Sequence, residues 1–225
     1  MTLVELIDVS KRYAQSEYVL KNIDLKILES DFLVIRGRSG IGKSTLLRIA
    51  GLLDTPSSGT VLVNGVDSSK MKDAELSRLR LRNFGFVFQR FNLIPALTTL
   101  ENVELPMELA GSGTEERRKR AEELLSYFGI SEHAKKYPGE LSVGQQQRVA
   151  IARALANNPR ILLADEPISS VDEETAGTIL GLFERLNRER HVSVVITTTS
   201  FSEEYNSTQD FRVSSGTLTR LTKPE

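Results

Sequence analysis

The chain has 225 residues, with 29 lysines and arginines against 30 aspartates and glutamates, which gives a formal net charge of −1. A typical size of about 150 residues per domain predicts one large domain or one domain with an inserted lobe. The balanced charge disfavours binding to nucleic acid through bulk positive charge, so we expect no nucleic-acid partner. Because the chain contains no cysteine, disulfides, thiol catalysis and cysteine-ligated metals are excluded.

The first part of the chain shows two kinds of apolar pattern. Apolar residues alternate over residues 3–9 and 19–27, which predicts half-buried, mostly antiparallel strands. A continuous apolar run over 32–35 predicts a strand buried on both faces, and a glycine-rich turn and a helix over 44–50 follow it. A further strand is predicted at 61–63, before a tight turn.

The second part of the chain begins with a helical region, predicted from about residue 98 to 157 with caps at Thr98 or Thr99, Thr114 and Ser142. Strands are predicted at 161–164 and 192–196, with a helix over about 173–189 between them. A strand, a helix and a strand at this spacing indicate a parallel sheet and an α/β fold. Residues 211–221 are predicted to form a small hairpin.

A glycine-rich motif connects the buried strand to the helix that follows it, and it fits the pattern G-x-x-x-x-G-K-[ST]. Its glycines permit turns that aim several backbone N–H groups at an anion, and the helix adds its positive end. We expect Lys43 to reach the β- and γ-phosphates of a nucleotide and the Ser44 hydroxyl to bind Mg²⁺. The alternative, an ordinary strand-to-helix turn, is disfavoured by this context. The motif comprises Gly37, Arg38, Ser39, Gly40, Ile41, Gly42, Lys43, Ser44 and Thr45.

Two carboxylates follow the strand predicted at 161–164. The carboxyl end of a buried parallel strand is where ligands bind in open α/β sheets. We expect Asp165 to hold Mg²⁺ through water and Glu166 to orient or deprotonate an attacking water. A polar strand end before Pro167 is the alternative interpretation, and the phosphate-binding motif in the same chain favours the functional one.

A third motif, Leu-Ser-Val-Gly-Gln at 141–145, starts a predicted helix. Ser142 and Gln145 fit a capping box, in which two side chains satisfy the first free amides of a helix. The same helix end could bind a phosphate through its remaining N–H groups. The residues alone leave both interpretations open.

In this order and spacing, the three motifs resemble the nucleotide-binding domain of ABC ATPases. The resemblance extends over nearly the whole chain and implies one domain over residues 1–225. Its parts would be a P-loop NTPase core with a mostly parallel sheet, an antiparallel β subdomain and a helical subdomain inserted at about 90–157. The resemblance also implies ATP and Mg²⁺ as cofactors. It implies a homodimer or heterodimer of ATPase subunits in which the Ser142 motif faces the γ-phosphate held by the other subunit.

The resemblance assigns further roles to single residues. Tyr13 would stack on adenine, and Gln89 would touch Mg²⁺ and sense a membrane partner. Asp172 belongs to the loop after Glu166, which would cross the dimer interface. The residues of the third motif implied to contact nucleotide are Ser142, Gly144 and Gln145.

The membrane role is expected to come through a partner. No apolar run approaches the ~18 residues of a membrane-spanning helix, and the first residues lack a signal pattern, so we expect a cytoplasmic chain. Residues 97–107 are similar to the subgroup that serves lipoprotein-releasing and macrolide-export systems. The resemblance implies that residues 89–107 dock an integral membrane permease, which would hold the chain on the cytoplasmic face of the cell membrane.

The chain departs from the family pattern at three positions. Val143 replaces the first glycine of the usual signature, and Arg38 stands where proline or another residue is common. Thr198 stands where the family usually has a histidine that contacts the γ-phosphate and the attacking water. Threonine is shorter and carries no charge near neutral pH. His191 precedes the last core strand, so we expect it at the opposite end of the sheet.

Two functions therefore stay open. The first is an ABC transporter ATPase subunit, in which hydrolysis at Glu166 reopens an ATP-closed dimer and drives a separate permease. The second is a nucleotide-gated binding or regulatory module with weak or no hydrolysis because of Thr198. A heterodimer in which this chain holds the weaker site is related to the second. A role in DNA repair or translation is disfavoured, because such proteins usually carry a long coiled-coil insert or two nucleotide domains.

Overall fold

The computed structural model describes residues 1–14, 17–201 and 203–221. Its elements are, in chain order, β1 (Thr2–Arg12), β2 (Tyr18–Leu28), β3 (Phe32–Arg36), α1 (Lys43–Ala50), β4 (Ser58–Val63), β5 (Val66–Asp67), α2 (Asp73–Asn83), β6 (Phe84–Val87), α3 (Thr99–Leu109), α4 (Thr114–Tyr127), α5 (Val143–Ala154), β7 (Ile161–Asp165), α6 (Glu173–Arg190), β8 (Ser193–Thr198), β9 (Gln209–Ser214) and β10 (Thr217–Leu221).

The strands form two sheets of different character. The smaller sheet has the order β2-β1-β4-β5, and all its pairs are antiparallel. The larger sheet has the order β10-β9-β3-β8-β7-β6, and all its pairs are parallel except the terminal hairpin of β9 and β10. The predicted antiparallel strands, parallel core and terminal hairpin are confirmed.

The core lies on both faces of the larger sheet, because consecutive residues of β3 point to opposite sides. Phe32 and Val34 belong to a buried cluster shared with the helical region and α6, whereas Leu33 and Ile35 belong to a cluster shared with α1 and the smaller sheet. All five residues of β3 are buried. Burial on two sides explains why this strand has a continuous apolar sequence instead of an alternating one.

Helices α3, α4 and α5 occupy the region predicted to be helical. Thr98 caps α3, with its side chain accepting from the Glu101 amide, and Ser142 caps α5. The prediction that Thr114 is a cap is wrong, because Gly113 occupies the cap position and Thr114 is the first helical residue. Helix α2 was not predicted from the sequence. None of its residues is fully buried, and its apolar stripe is short, because only Leu76 and Leu79 pack against the core.

Candidate nucleotide-binding site

Four parallel strands, β3, β8, β7 and β6, place their carboxyl ends along one edge of the larger sheet. The glycine-rich motif follows β3, and Asp165 ends β7. Thr198 ends β8, and Gln89 lies just after β6. In a parallel sheet such an edge is where ligands bind. The fold thus brings the residues of the first two motifs together.

The glycine-rich motif forms an open loop at the start of α1. Gly40 and Gly42 have φ values of +74° and +109°, a conformation that favours glycine. A Cβ at Gly42 would lie 2.9 Å from Val19 Cγ1, so the backbone also has no room for a side chain there. The amide N–H groups of Gly40, Gly42, Lys43 and Ser44 have no acceptor within the described part of the chain. Free donors at a helix start fit a bound phosphate.

Lys43 joins this loop to the end of β7. Its side chain is only 3% exposed, and its Nζ donates to the carbonyl oxygens of Gly37 at 2.9 Å and Arg38 at 3.1 Å. The same Nζ lies 3.0 Å from Glu166 Oε1. A positive charge therefore lies between the free amide donors and the carboxylate expected to act on water.

The backbone at Glu166 is strained, with a φ of +47°. Such a conformation in a residue other than glycine costs about 1–3 kcal/mol and persists where the surroundings fix it. Here the Glu166 N–H donates to the carbonyl and hydroxyl oxygens of Thr197, both at 3.1 Å. The Thr197 hydroxyl donates in turn to Asp165 Oδ1 at 2.6 Å. Thr197 thus fixes both carboxylate residues, a role that the sequence did not reveal.

The three candidate metal ligands lie at the same edge. Ser44 and Asp165 line one narrow cavity. Gln89 Nε2 lies 3.4 Å from both Glu166 Oε2 and Ser169 Oγ. The described residues contain no group of three or more histidines and carboxylates that could hold a metal ion alone.

Tyr13 lies on the surface at the end of β1 and is 44% exposed. Its hydroxyl donates to Asp54 Oδ2 at 2.8 Å. The Lys11 ammonium lies 2.6 Å from Asp54 Oδ1 and 4.8 Å from the centre of the Tyr13 ring. Burial raises the pKa of the Asp54 carboxyl, but the hydrogen bonds from Lys11 and Tyr13 outweigh burial and hold that pKa below its usual range. The expected adenine-stacking ring is therefore held by two neighbours.

Ser142 and Gln145 form the predicted capping box. Gln145 Oε1 accepts from the Ser142 amide at 2.9 Å, and the Gln145 amide donates to Ser142 Oγ at 3.3 Å. The Val143 side chain is 45% exposed. Across the described residues, neither Ser142 nor Gln145 forms a hydrogen bond with residues 37–45. The structure does not join the signature directly to the phosphate loop of its own chain.

Asp172 serves its own helix in this structure. Its Oδ1 accepts from the Thr175 amide at 2.9 Å and its Oδ2 from the Thr175 hydroxyl at 2.7 Å. These hydrogen bonds hold the pKa of the Asp172 carboxyl below its usual range. The role implied by the resemblance, a contact across a dimer, stays a prediction.

Thr198 lies at the sheet edge with only 6% of its surface exposed. Its hydroxyl donates to Glu203 Oε2 at 3.3 Å and accepts from the Ser200 amide at 3.0 Å. Glu203 Oε2 also accepts from the Tyr205 hydroxyl at 2.5 Å. Burial, together with this hydrogen bond, raises the pKa of Tyr205. The one proton of the Thr198 hydroxyl is thus already donated within the protein.

Arg36 binds the backbone of the segment between β8 and β9. Its Nε lies 2.9 Å from Asp210 Oδ2, and its two terminal nitrogens donate to the carbonyl oxygens of Ser200 and Glu203, each at 2.9 Å. The arginine and aspartate side chains are 8% and 13% exposed. Sequence reasoning missed this clamp.

His191 lies where the sequence predicted, at the opposite end of the sheet. It follows the last residue of α6, and the next strand residue, Ser193, pairs with the first residue of β7. The functional edge lies at the other end of both strands. His191 therefore does not lie at the functional edge with Thr198.

A groove with a cavity of about 350 Å³ lies between α2, β6 and α3. Its apolar walls include Phe86, Phe88 and Leu109, and the last is 68% exposed. Arg153 also lines it and donates to the carbonyl oxygens of residues 91 and 92, both at 2.6 Å. Burial lowers the pKa of the Arg153 guanidinium to about 10. Helix α2 thus forms one wall of an exposed groove beside Gln89.

Within the three described stretches, no helix combines the length and apolar character needed to cross a membrane.

Comparison with known proteins identifies the family. The family model described as ABC transporter matches residues 20–169. An ABC transporter ATP-binding protein of Thermotoga maritima is 48% identical over 198 residues, with 87% of this chain and 85% of the relative covered. The macrolide export ATP-binding/permease protein MacB of Syntrophobacter fumaroxidans is 45% identical over 203 residues, which cover 88% of this chain but 28% of MacB.

Solved structures agree with this match. The dimeric structure of the ATP-binding cassette MJ0796 in a post-hydrolysis state, bound to ADP and Pi, superposes with a TM-score of 0.89 at 43% identity. That match covers 98% of this chain and all of the other. MJ0796 is a protein of Methanocaldococcus jannaschii that is 49% identical to this chain over 203 residues, with 87% of this chain and 86% of the relative covered. The predicted α/β P-loop NTPase fold is confirmed, and the chain belongs to the ABC transporter family, as an ATPase of that family.

Proposed function

We propose that the chain binds and hydrolyses MgATP in a head-to-tail dimer and drives a separate integral membrane permease. The observation that carries this proposal is the loop of free amide donors beside Lys43, directly across from Glu166. Ser39 to Thr45 would surround the β- and γ-phosphates, and the Lys43 ammonium would neutralise part of their charge. Tyr13, held by Asp54 and Lys11, would offer its ring to adenine.

Ser44, Asp165 and Gln89 are the residues we propose to hold Mg²⁺. Their hydroxyl, carboxylate and amide oxygens are the hard donors that this ion prefers, and Mg²⁺ is usually held by few protein ligands together with phosphate oxygens. The shared cavity of Ser44 and Asp165 supports this assignment. Bound there, the ion would neutralise charge on the phosphates.

Glu166 is the proposed general base, which would orient the attacking water and take its proton. In this structure the carboxylate pairs with Lys43. A γ-phosphate bound by the loop would give the Lys43 ammonium a different partner and release the Glu166 carboxylate toward water. Thr197 would keep the carboxylate in place by fixing its backbone.

The signature residues are proposed to complete the site of a second subunit. Ser142, Gly144 and Gln145 would present the start of α5 to the γ-phosphate held by that subunit. Two facts support this. The signature forms no hydrogen bond with the phosphate loop of its own chain, and the relative MJ0796 is dimeric in its solved structures. Asp172 would lie in the interface.

The groove beside Gln89 is the proposed docking site of the permease. Its exposed apolar walls fit an apolar helix of a partner, and the position beside the nucleotide edge would let Gln89 report on docking. The MacB relative is an ATP-binding/permease protein in which this chain matches about a quarter of the length, which supports a membrane partner. The chain would then lie on the cytoplasmic face of the cell membrane, attached through the permease.

The test is the Glu166→Gln variant. We expect hydrolysis to fall by roughly 10²–10⁴-fold, because a general base contributes about that much. ATP binding should persist, and the variant should accumulate as an ATP-bound dimer in size-exclusion chromatography. Glu115→Gln, at an exposed position of α4, is the matched control. Unchanged turnover in Glu166→Gln would refute the assignment.

A second candidate function, a nucleotide-gated regulatory module with weak hydrolysis, is favoured by one specific observation. The Thr198 hydroxyl donates its proton to Glu203, so it has no second proton for a γ-phosphate. Steady-state ATPase assays on the parent chain and on Thr198→His separate the two functions. A silent parent with an active Thr198→His variant would favour the regulatory module, also as the weaker half of a heterodimer. An active parent would favour the transporter motor.

A further inference from the structure

Gln147 is a polar side chain in the core of the helical region. It lies on α5, the helix that Ser142 caps, and it is fully buried. Its Nε2 donates to the carbonyl oxygen of Pro167 at 2.6 Å. Its Oε1 is also buried and has no hydrogen-bond partner among residues 1–14, 17–201 and 203–221.

The Oε1 of Gln147, unpartnered among the described residues, lowers the stability of the fold. A buried amide oxygen without a partner destabilises a fold, whereas an apolar side chain of the same length would fill the space without that penalty. The orientation of the amide is fixed, because only a donor can face the Pro167 carbonyl. Packing alone therefore does not explain a glutamine at this position, and the single hydrogen bond to Pro167 requires another reason.

The reason lies in the neighbour of Pro167. Glu166 has the strained φ of +47°, and its N–H is held by Thr197 of β8. On the other side, Pro167 has no N–H that could anchor the chain, and its carbonyl is held by Gln147. The strained backbone of Glu166 is thus restrained on one side by β8 and on the other by α5.

A second contact joins α5 to the start of α6. A Cβ at Gly144 would lie 2.9 Å from Thr175 Cγ2, so α5 approaches the start of α6 closely. The amide and hydroxyl of Thr175 are bound by Asp172. Because residues 144 and 147 are three apart on one helix, both contacts lie on the same face of α5.

We propose that Gln147 is a positioning residue for Glu166, which links the signature helix of the chain to its own catalytic carboxylate. When the signature engages the nucleotide of the partner subunit, α5 is displaced, and Gln147 transmits this displacement to the backbone of Glu166. The inference rests on the proposed function, namely on Glu166 as general base and on the head-to-tail dimer.

The test is Gln147→Met, measured on the full chain. Methionine keeps the length of the side chain and removes both the hydrogen bond and the buried oxygen. We expect kcat for ATP hydrolysis to fall about tenfold or more, with KM and ATP affinity within about twofold of the parent and an equal or higher unfolding midpoint. Gln146→Met is the matched control, because the Gln146 Nε2 donates to the Leu141 carbonyl and contacts neither Pro167 nor Glu166.

A loss of kcat that follows a loss of stability would overturn the proposal, and so would an unchanged kcat. Gln147→Glu gives a second readout that does not depend on the methionine variant folding. A protonated glutamic acid can donate to Pro167 and an ionised one cannot, and burial favours the protonated form. We expect the activity of Gln147→Glu relative to the parent to rise from about pH 8 to about pH 6. A ratio that is low and flat over this range would refute the role, whereas parent-like activity throughout would mean that the buried acid stays protonated and keeps donating to Pro167.

Glu166→Gln, measured in parallel, distinguishes the two possible failures. Unchanged turnover in Glu166→Gln would refute the proposed base and thereby the proposed function. A large loss in Glu166→Gln with none in Gln147→Met would refute only the role of Gln147.

Discussion

Two loops leave adjacent strands at the same edge of the larger sheet, and they differ in how their polar groups are used. The phosphate loop follows β3, the other loop follows β8, and Arg36 pairs with Thr198 where both begin. In the first loop the amides of several residues have no acceptor in the described chain. In the second, the Thr198 hydroxyl, the Glu203 carboxylate and the Arg36 guanidinium bind one another or nearby backbone. A polar group at this edge of the sheet is therefore not necessarily available to bind a ligand.

The two loops differ because the first contains glycines at its turns, whereas the second carries polar side chains that bind one another. Glycines at 40 and 42 let the first loop turn its amides outward without offering side chains that could satisfy them. The second loop carries hydroxyl and carboxylate groups that satisfy each other. The first loop therefore presents free amide donors to a ligand, whereas the side chains of Thr198 and Glu203 in the second are already bound within the protein. The following predictions test this contrast, in order of decreasing effect.

Lys43→Ala should have the largest effect on the first loop. Removing the ammonium would leave the bound phosphates without the cation of the loop, and we expect this to cost about 2–5 kcal/mol of binding energy. We expect no saturation with ATP at about millimolar concentrations in a calorimetric titration. Lys119→Ala, at an exposed position of α4, should bind ATP like the parent. Retained affinity in Lys43→Ala would show that the amides alone hold the ligand.

Arg36→Ala should have the largest effect on the second loop. Breaking a nearly buried ion pair from one side leaves Asp210 without its cation, and we expect the free energy of unfolding to fall by about 3–5 kcal/mol. Denaturant unfolding measures this change, with Arg220→Ala at an exposed position of β10 as control. ATP affinity measured under conditions where the variant is folded should stay within about twofold of the parent. A parallel loss of affinity would show that the two loops act as one unit.

Thr198→Ala should show whether the Thr198 hydroxyl contributes to stability or to ATP hydrolysis. Because the hydroxyl is already bonded to Glu203 and to the Ser200 amide, its loss should lower the free energy of unfolding by about 1 kcal/mol. We expect the steady-state ATPase rate to change by less than about threefold, which corresponds to a change of less than about 1 kcal/mol in the activation free energy. A loss of rate beyond about tenfold would place the Thr198 hydroxyl in the reaction.

Asp54→Asn tests the ion pair between Asp54 and Lys11 beside Tyr13. The pKa of Asp54 is lowered in the folded protein, so its ion pair with Lys11 stabilises the fold above the unfolded-state pKa and is lost as pH falls through the folded-state value. We expect Asn to reduce the free energy of unfolding by about 1 kcal/mol at neutral pH. The difference from the parent should shrink below about pH 4 in acid-unfolding experiments. A difference that is constant with pH would contradict the ionised pair.

The sequence predicted those parts of the site that are local in the chain. The phosphate loop is one contiguous motif between a strand and a helix, and Asp165 and Glu166 end a strand whose apolar run is plain. Contacts that depend on sheet register were not predictable in this way. Arg36 meets Asp210 across 174 positions of sequence, and Thr197 reaches Asp165 across 32.

Two other features escaped prediction for different physical reasons. Helix α2 packs only the partly buried Leu76 and Leu79 against the core, so its helical stripe of apolar residues is short. In the sequence, Gln147 is indistinguishable from the other polar residues of a capped helix. Its contact with Pro167 forms only when α5 packs near the end of β7. The roles expected of Ser142, Gly144 and Gln145 rest on the resemblance, because no contact among the described residues tests them.

The most direct test of the account is amide hydrogen exchange of the parent chain with and without MgATP. If the free amides of the phosphate loop bind the triphosphate, exchange over residues 39–45 should slow in a saturable manner as ATP is added. Exchange of the Ser200 and Glu203 amides, in the segment that follows β8, should change little, because both already donate to side-chain oxygens of the protein. Unaltered exchange over residues 39–45 at millimolar MgATP would contradict the central claim.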